Sequence, residues 1–139
     1  SYPKGFDNLY KNGIRNAKYY IPFIAATQAS LRRRYPSGIV EIFRGIGGEA
    51  GRKLRRQYNR MESEDILAVP HSGLSSFSSN EKEGRVFAGT TGITLKKHIS
   101  INDVWLLPSI FTGVYKGEDE FLVEGDSAQL FRKDELISE

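Results

Sequence analysis

The sequence contains no cysteine and only two histidines, His71 and His98. Without thiols, disulfide scaffolds and thiolate metal sites are excluded, and so few histidines argue against a structural metal site. No apolar run is long enough to span a bilayer, and the first residues lack the pattern of a secretory signal. We therefore expect a soluble protein with no metal and no membrane partner. Its expected place is the cytoplasm of the producing cell or, after secretion or injection, of a target cell.

The length of 139 residues and the hydrophobic content of 39% match a single domain. The net charge of +3 conceals an uneven distribution. Residues 30–60 carry nine Lys/Arg against two Glu, a net +7, whereas residues 61–139 carry seven against fourteen acidic residues, a net −7. This division suits an enzyme that binds a polyanionic ligand on one side and places carboxylates on the other. A solvated basic surface is the simpler alternative.

Helical patterns come first in the chain and short strand patterns follow. Two N-terminal helices are predicted, from Asp7 or Asn8 to Lys18 and from Pro22 to Arg34, since Asp and Asn cap helices and proline suits a first turn. Further helices are predicted over residues 49–60 and from a cap at 79–80 to 88, and strands over 38–44, 65–69, 72–78, 92–100, 103–110 and 118–124. The segment from residue 128 adds a strand or a helix. The connections are too short for repeated parallel crossovers, so the predicted class is α+β with mostly antiparallel sheet.

Two segments imitate known motifs without fitting them. Residues 45–53 combine glycines with basic residues, but they match neither the Walker spacing nor the dinucleotide fingerprint. We interpret these glycines as the end of a strand beside a ligand. His71 and Ser72 with a distant Asp103 lack the Gly-x-Ser-x-Gly elbow of a hydrolase triad.

Three other motifs occur in order on predicted strands. They are Phe43-Arg44-Gly45, the serine segment over residues 73–78, and Glu118-Asp119-Glu120 followed by apolar residues. With the helix predicted after the serines, their order resembles the arginine-serine-glutamate class of mono-ADP-ribosyltransferases, nearest to bacteriophage and bacterial-toxin members. The resemblance covers about residues 39–125. It implies a single catalytic domain in which N-terminal helices and two small, mostly antiparallel sheets surround a NAD cleft.

The two glutamates suit the activity that this resemblance implies, which is cleavage of the nicotinamide–ribose bond of NAD and transfer of ADP-ribose. Cleavage develops positive charge on the ribose, and a nearby carboxylate stabilises it; Glu120 is the candidate. Glu118 projects from the same strand face because side chains alternate along a strand. In the family the first glutamate of the pair activates an arginine acceptor, which implies that role for Glu118. The alternative is two exposed carboxylates on an edge strand.

The arginine motif is suited to binding another part of NAD, its pyrophosphate. A guanidinium binds phosphate oxygens through paired, charge-assisted hydrogen bonds, so Arg44 is the candidate for the pyrophosphate of NAD. Gly45 would let the backbone approach the nicotinamide closely. Arg85, on the helix after the serines, is either a second phosphate contact or a solvated arginine.

The serine segment has two registers. The resemblance implies that Ser76 hydrogen-bonds Glu120, while Phe77 and Ser78 support the strand and the nicotinamide pocket. Ser75 is the competing choice, because a slip of one residue exchanges the two faces of a strand.

The loop over residues 111–117 precedes Glu118, where the family has its acceptor-recognition loop. Tyr115 offers an aromatic surface to a target side chain or base, or else it packs inside the protein. Trp105, in an apolar strand, is predicted to belong to the core.

The glutamate pair and the basic stretches of the sequence also bear on the acceptor of ADP-ribose and on other partners. The glutamate pair favours protein arginine, whereas the basic stretches 32–34 and 52–60 suit RNA or DNA phosphates. NAD hydrolysis is the third enzymatic alternative, and a basic nucleic-acid-binding module without activity is the competing class. By analogy with toxins, an inhibitory antitoxin or immunity protein is a further expected partner.

Overall fold

The computed structural model describes residues 13–69, 74–107, 120–124 and 129–137, and every element below lies within these ranges. The helices are α1 (Gly13–Arg34), α2 (Gly48–Arg60) and α3 (Glu81–Ala88). The strands are β1 (Ile39–Ile46), β2 (Ile66–Ala68), β3 (Leu74–Ser78), β4 (Ile93–Ser100), β5 (Val104–Leu106), β6 (Glu120–Glu124), β7 (Leu130–Arg132) and β8 (Leu136–Ile137). The strand pairs are antiparallel. The prediction of an α+β fold with mostly antiparallel sheet is therefore confirmed.

The N-terminal helix differs from its prediction. Two helices separated before Pro22 were expected, whereas α1 continues through this proline. Proline removes one helical hydrogen bond, but contacts farther along α1 anchor the helix on the rest of the fold. The amide of Gln28 donates to the carbonyl oxygens of Ile101 and Val104, each at 2.9 Å, and Thr27 Oγ1 accepts from the backbone N–H of Leu107 at 3.2 Å. Residues 7–12 of the predicted first helix lie outside the described residues.

The strands form a six-stranded sheet in the order β5-β6-β3-β1-β4-β8 and a separate two-stranded sheet of β2 and β7. β1 pairs with β4 along its whole length, and β3 pairs with all five residues of β6. This order makes β1, β3 and β6 neighbours although long stretches of chain separate them. The described residues of the three sequence motifs therefore meet in the middle of one sheet.

Two hydrophobic clusters stabilise this arrangement. One contains Leu31 of α1 together with the buried faces of the central strands, including Ile42, Phe77 and Phe121. The other joins α2 to β4 and the two-stranded sheet through Leu54, Leu95 and Phe131, among others. Removing such side chains from water is the main favourable contribution to folding.

α3 lies directly against β1, and glycines permit the contact. A Cβ atom added at Gly45 would lie only 1.7 Å from the carbonyl oxygen of Gly84, so the strand and the helix touch backbone to backbone. Asn80 caps α3 as predicted, since its Oδ1 accepts from the N–H of Lys82 at 2.9 Å. None of the helices in the described ranges combines the length and apolar character that a membrane crossing requires.

Candidate active site

A cleft of about 440 Å³ opens where β1, β3 and β6 meet α3. Its lining residues come from the six-stranded sheet and α3, and none comes from the two-stranded sheet. The family resemblance implied two small sheets around a NAD cleft; sheets of six and two strands are present, and that they surround a NAD cleft stays a prediction. The lining residues are Phe43, Arg44, Gly45, Ser76, Phe77, Ser78, Glu83, Gly84, Phe87 and Glu120.

The strand pairing fixes which face of β3 meets the cleft. Ser78 is paired directly with Glu120, and Phe77 with Phe121. Both phenylalanines are buried in the core, with exposures of 2% and 0%, so the residues that alternate with them face the other way. Ser76 Oγ donates to Glu120 Oε2 at 2.5 Å. The hydrogen bond anticipated for Ser76 is thus present, and it restricts the position of the carboxylate.

Arg44 is a partly buried cation whose guanidinium lacks a partner among the described residues of the cleft. Its Nη1 is buried and has no hydrogen-bond partner, and no ion pair joins Arg44 to another described residue. Burial lowers the pKa of the Arg44 guanidinium, because desolvation disfavours the charged form. Buried cations in proteins are normally paired, so this one is poised to bind an anion.

α3 adds two residues that sequence reasoning did not assign to the site. Glu83 and Phe87 are four residues apart and therefore share one face of the helix, which lines the cleft. Phe87 is 66% exposed, although large aromatic residues are usually buried. The carboxylate of Glu83 has no hydrogen bond or ion pair with another described residue. The four-residue spacing of Glu83 and Phe87 in the sequence predicts that they share a helix face. It does not predict that this face lines the cleft, because that depends on which side of α3 packs on β1.

Arg85 and Trp105 lie away from the cleft. Arg85 Nη2 forms an ion pair with Glu81 Oε2 at 2.6 Å, and its side chain lines a different surface cavity. The face of α3 that carries Glu83 and Phe87 is not the face that carries Arg85, which explains why the structure does not bring Arg85 to the site. Trp105 is half-buried and lines a groove with Gln28 and Arg32, whereas the sequence predicted a core position.

Several predicted site residues lie outside the described residues. These are Glu118 and Tyr115, together with the loop over residues 111–117. The side chain of Ser75, the competing serine, is likewise not described. The structure therefore brings together Arg44, Ser76 and Glu120, but it does not describe the part predicted to meet the acceptor.

The cleft combines a half-buried cation with two carboxylates, those of Glu83 and Glu120. Such a site can hold an anionic group at one point and stabilise positive charge at another. Within the described ranges, no group of three or more His, Asp or Glu side chains could hold a metal ion. Comparison of the chain with protein-family models, with curated proteins and with solved structures finds no match in any of the three.

Proposed function

We propose that the protein is a mono-ADP-ribosyltransferase, which cleaves the nicotinamide–ribose bond of NAD and transfers ADP-ribose to a macromolecule. The observation that carries this proposal is the meeting, in one cleft, of a guanidinium whose buried Nη1 has no hydrogen-bond partner and a carboxylate held by a serine hydroxyl. The three residues, Arg44, Ser76 and Glu120, come from the three ordered motifs of the sequence.

Arg44 supplies the contact for the pyrophosphate. A guanidinium nitrogen that is already buried, as Arg44 Nη1 is, gains more from a phosphate oxygen than an exposed one does, because less further desolvation opposes the contact. The nearby Phe87 offers an exposed aromatic face on which a base of the dinucleotide can stack. These residues account for binding of the ligand rather than for bond cleavage.

Glu120 supplies the electrostatic part of catalysis. As nicotinamide departs with the electron pair of the C–N bond, positive charge develops on the ribose, and the carboxylate stabilises that charge. Ser76 holds the carboxylate in place, so the arrangement exists before the substrate binds. Glu118 is proposed to accept the proton that an acceptor guanidinium loses as its nitrogen attacks the ribose.

The proposed acceptor is a protein arginine, because the resemblance gives the first glutamate of the Glu118/Glu120 pair the role of activating an arginine. A nucleic acid is the second candidate acceptor, and the exposed cations of α2 favour it. Water as the acceptor would give NAD hydrolysis instead.

Release of nicotinamide from NAD tests the enzymatic proposal. The wild-type protein is expected to release nicotinamide, and Glu120→Gln, which keeps the shape of the side chain but removes its charge, is expected to slow release by about 100-fold or more. Glu64→Gln, at an exposed position outside the cleft, is the matched control and should match the wild type. No release by the wild type, or equal rates for the two variants, would exclude the proposal.

A lysate labelled from NAD that carries the label in its adenylate part identifies the acceptor. Label that survives nuclease but not protease means a protein acceptor, and the reverse means a nucleic acid. Glu118→Gln is expected to remove most transfer to arginine while sparing NAD hydrolysis. Equal loss of the two activities would contradict the separate roles given to Glu118 and Glu120.

A further inference from the structure

α2 carries a row of cations that the chemistry of the cleft does not use. We call these residues the basic face; they are Arg52, Lys53, Arg55, Arg56 and Arg60. None of them lines the cleft. Glu49 is the only acidic residue of the helix. The basic face is therefore a concentrated positive surface of its own.

Helical geometry explains how the cations come together. Gly51, Leu54 and Met61 are buried against the body of the protein, at spacings that place them on one side of α2 and its C-terminal end. The opposite side presents Arg52, Arg56 and Arg60, each four residues from the next. Four residues of α-helix rise about 6 Å, so these side chains form an evenly spaced row along the helix axis.

Most of this charge is uncompensated. Arg52 pairs with Glu49 at 2.8 Å, and Arg55 Nη1 donates to the carbonyl oxygen of Thr90 at 2.6 Å. Lys53, Arg56 and Arg60 have no hydrogen bond or ion pair with any described residue. The hydrogen bond from Arg52 and the charges of Arg52 and Arg56 lower the pKa of the Glu49 carboxyl.

The spacing has an energetic consequence. Like charges four residues apart repel each other and disfavour the helix. A bound polyanion would offset that repulsion, because each cation would then lie beside a negative charge. The row is thus better suited to a charged ligand than to water.

We infer that the basic face is a docking surface for the phosphate backbone of a nucleic acid. Arginine binds phosphate oxygens in pairs, and a backbone presents phosphates at regular intervals. An acidic protein is less suitable, because protein interfaces have apolar centres with aromatic anchors. The large apolar side chains exposed in the described residues are Ile21, Ile39, Ile66, Val86, Phe87 and Leu130, and none of them lies on α2.

This inference does not depend on NAD chemistry, so its test contains no NAD. A fluorescently labelled, mixed-sequence RNA oligonucleotide is titrated with the full chain at several salt concentrations, and binding is followed by anisotropy. The test variant combines Lys53→Gln, Arg56→Gln and Arg60→Gln, whose side chains form no hydrogen bond or ion pair with a described residue. The control combines Lys82→Gln, Arg85→Gln and Lys96→Gln, which removes the same charge from α3 and β4, outside both basic stretches of the sequence.

The test variant is expected to weaken binding about ten- to hundredfold and to lower the slope of log K against log salt by about 2, since each lost phosphate contact of a single strand contributes about 0.7. The control should lose much less affinity. Thermal unfolding checks that both variants are folded. Absence of binding by the wild type, or equal losses in the two variants, would overturn the inference. Equally tight binding of poly-glutamate in place of RNA would also overturn it, in favour of an acidic protein partner.

Discussion

Two half-buried cations of the six-stranded sheet, Arg44 of β1 and Lys97 of β4, stand in opposite situations. Lys97 Nζ donates to the carbonyl oxygen of Leu130 at 2.6 Å and to Glu135 Oε1 at 3.2 Å, and it lies 5.1 Å from the centroid of the Phe131 ring. Arg44 has a buried nitrogen that contacts no acceptor in the described residues. The fold gives the charge of Lys97 partners within the protein and leaves Arg44 Nη1 without one.

The difference separates a structural charge from a functional one. The partners of Lys97 belong to the segment that includes β7 and the turn after it, so its contacts tie the two-stranded sheet to the larger one. Arg44 forms no hydrogen bond or ion pair with a described residue, yet burial of its Nη1 carries a cost in desolvation. A buried charge without a partner is unfavourable unless a ligand compensates it. Substitution of Arg44 should therefore weaken ligand binding and leave stability intact, whereas substitution of Lys97 should lower stability and leave binding intact.

The largest effect is expected from Arg44→Met. Methionine fills similar space without charge, so the KM for NAD should rise about 100-fold while the melting temperature stays unchanged or increases. NAD titration and thermal unfolding of the same preparation measure both quantities. Arg33→Met, at an exposed position, is the control. A clear loss of stability with an unchanged KM would make Arg44 structural and would remove the contrast with Lys97.

Lys97→Met should show the converse pattern. It removes the side-chain donor to the carbonyl oxygen of Leu130 and one of two donors to Glu135 Oε1, which is expected to reduce the free energy of unfolding by about 1–2 kcal/mol. Glu135 Oε1 still accepts from the N–H of Arg132 at 2.8 Å, so the loss stays moderate. Denaturant unfolding measures the change, and the KM for NAD should not move.

Lys96→Met is the control for this substitution. Lys96 is the preceding residue of the same strand and projects from its other face, without a hydrogen bond or ion pair to a described residue. Similar losses of stability at the two lysines would show that the contacts of Lys97 contribute little.

The comparison also shows what the sequence could predict. The capping of α3 by Asn80 and the alternation of serine and phenylalanine along β3 depend on neighbouring residues, and they were predictable. The continuation of α1 through Pro22 was not, because contacts of Gln28 with residues more than 70 positions away anchor the helix. The same holds for Glu83 and Phe87, whose place in the cleft depends on how α3 docks on β1.

Gly45 illustrates the same limit at a single position. From the sequence, its small size suggested close approach to a ligand. In the structure the same position allows close approach of α3, since any side chain there would collide with the backbone of Gly84. A glycine beside a site thus has two physical explanations, and only the tertiary contact separates them.

The smallest effect is expected from Ser76→Ala. This substitution compares, within the cleft, the binding role given to Arg44 with the catalytic role given to Glu120. The substitution removes the hydrogen bond to Glu120 but leaves both charges of the site, so kcat should fall about fivefold, near 1 kcal/mol, with an unchanged KM. Steady-state kinetics of nicotinamide release separates the two constants. Ser76→Thr keeps a hydroxyl and should restore most of the rate. If the alanine variant instead raised KM as Arg44→Met does, Ser76 would serve binding, and the division between a cation that binds and a carboxylate that reacts would have to be abandoned.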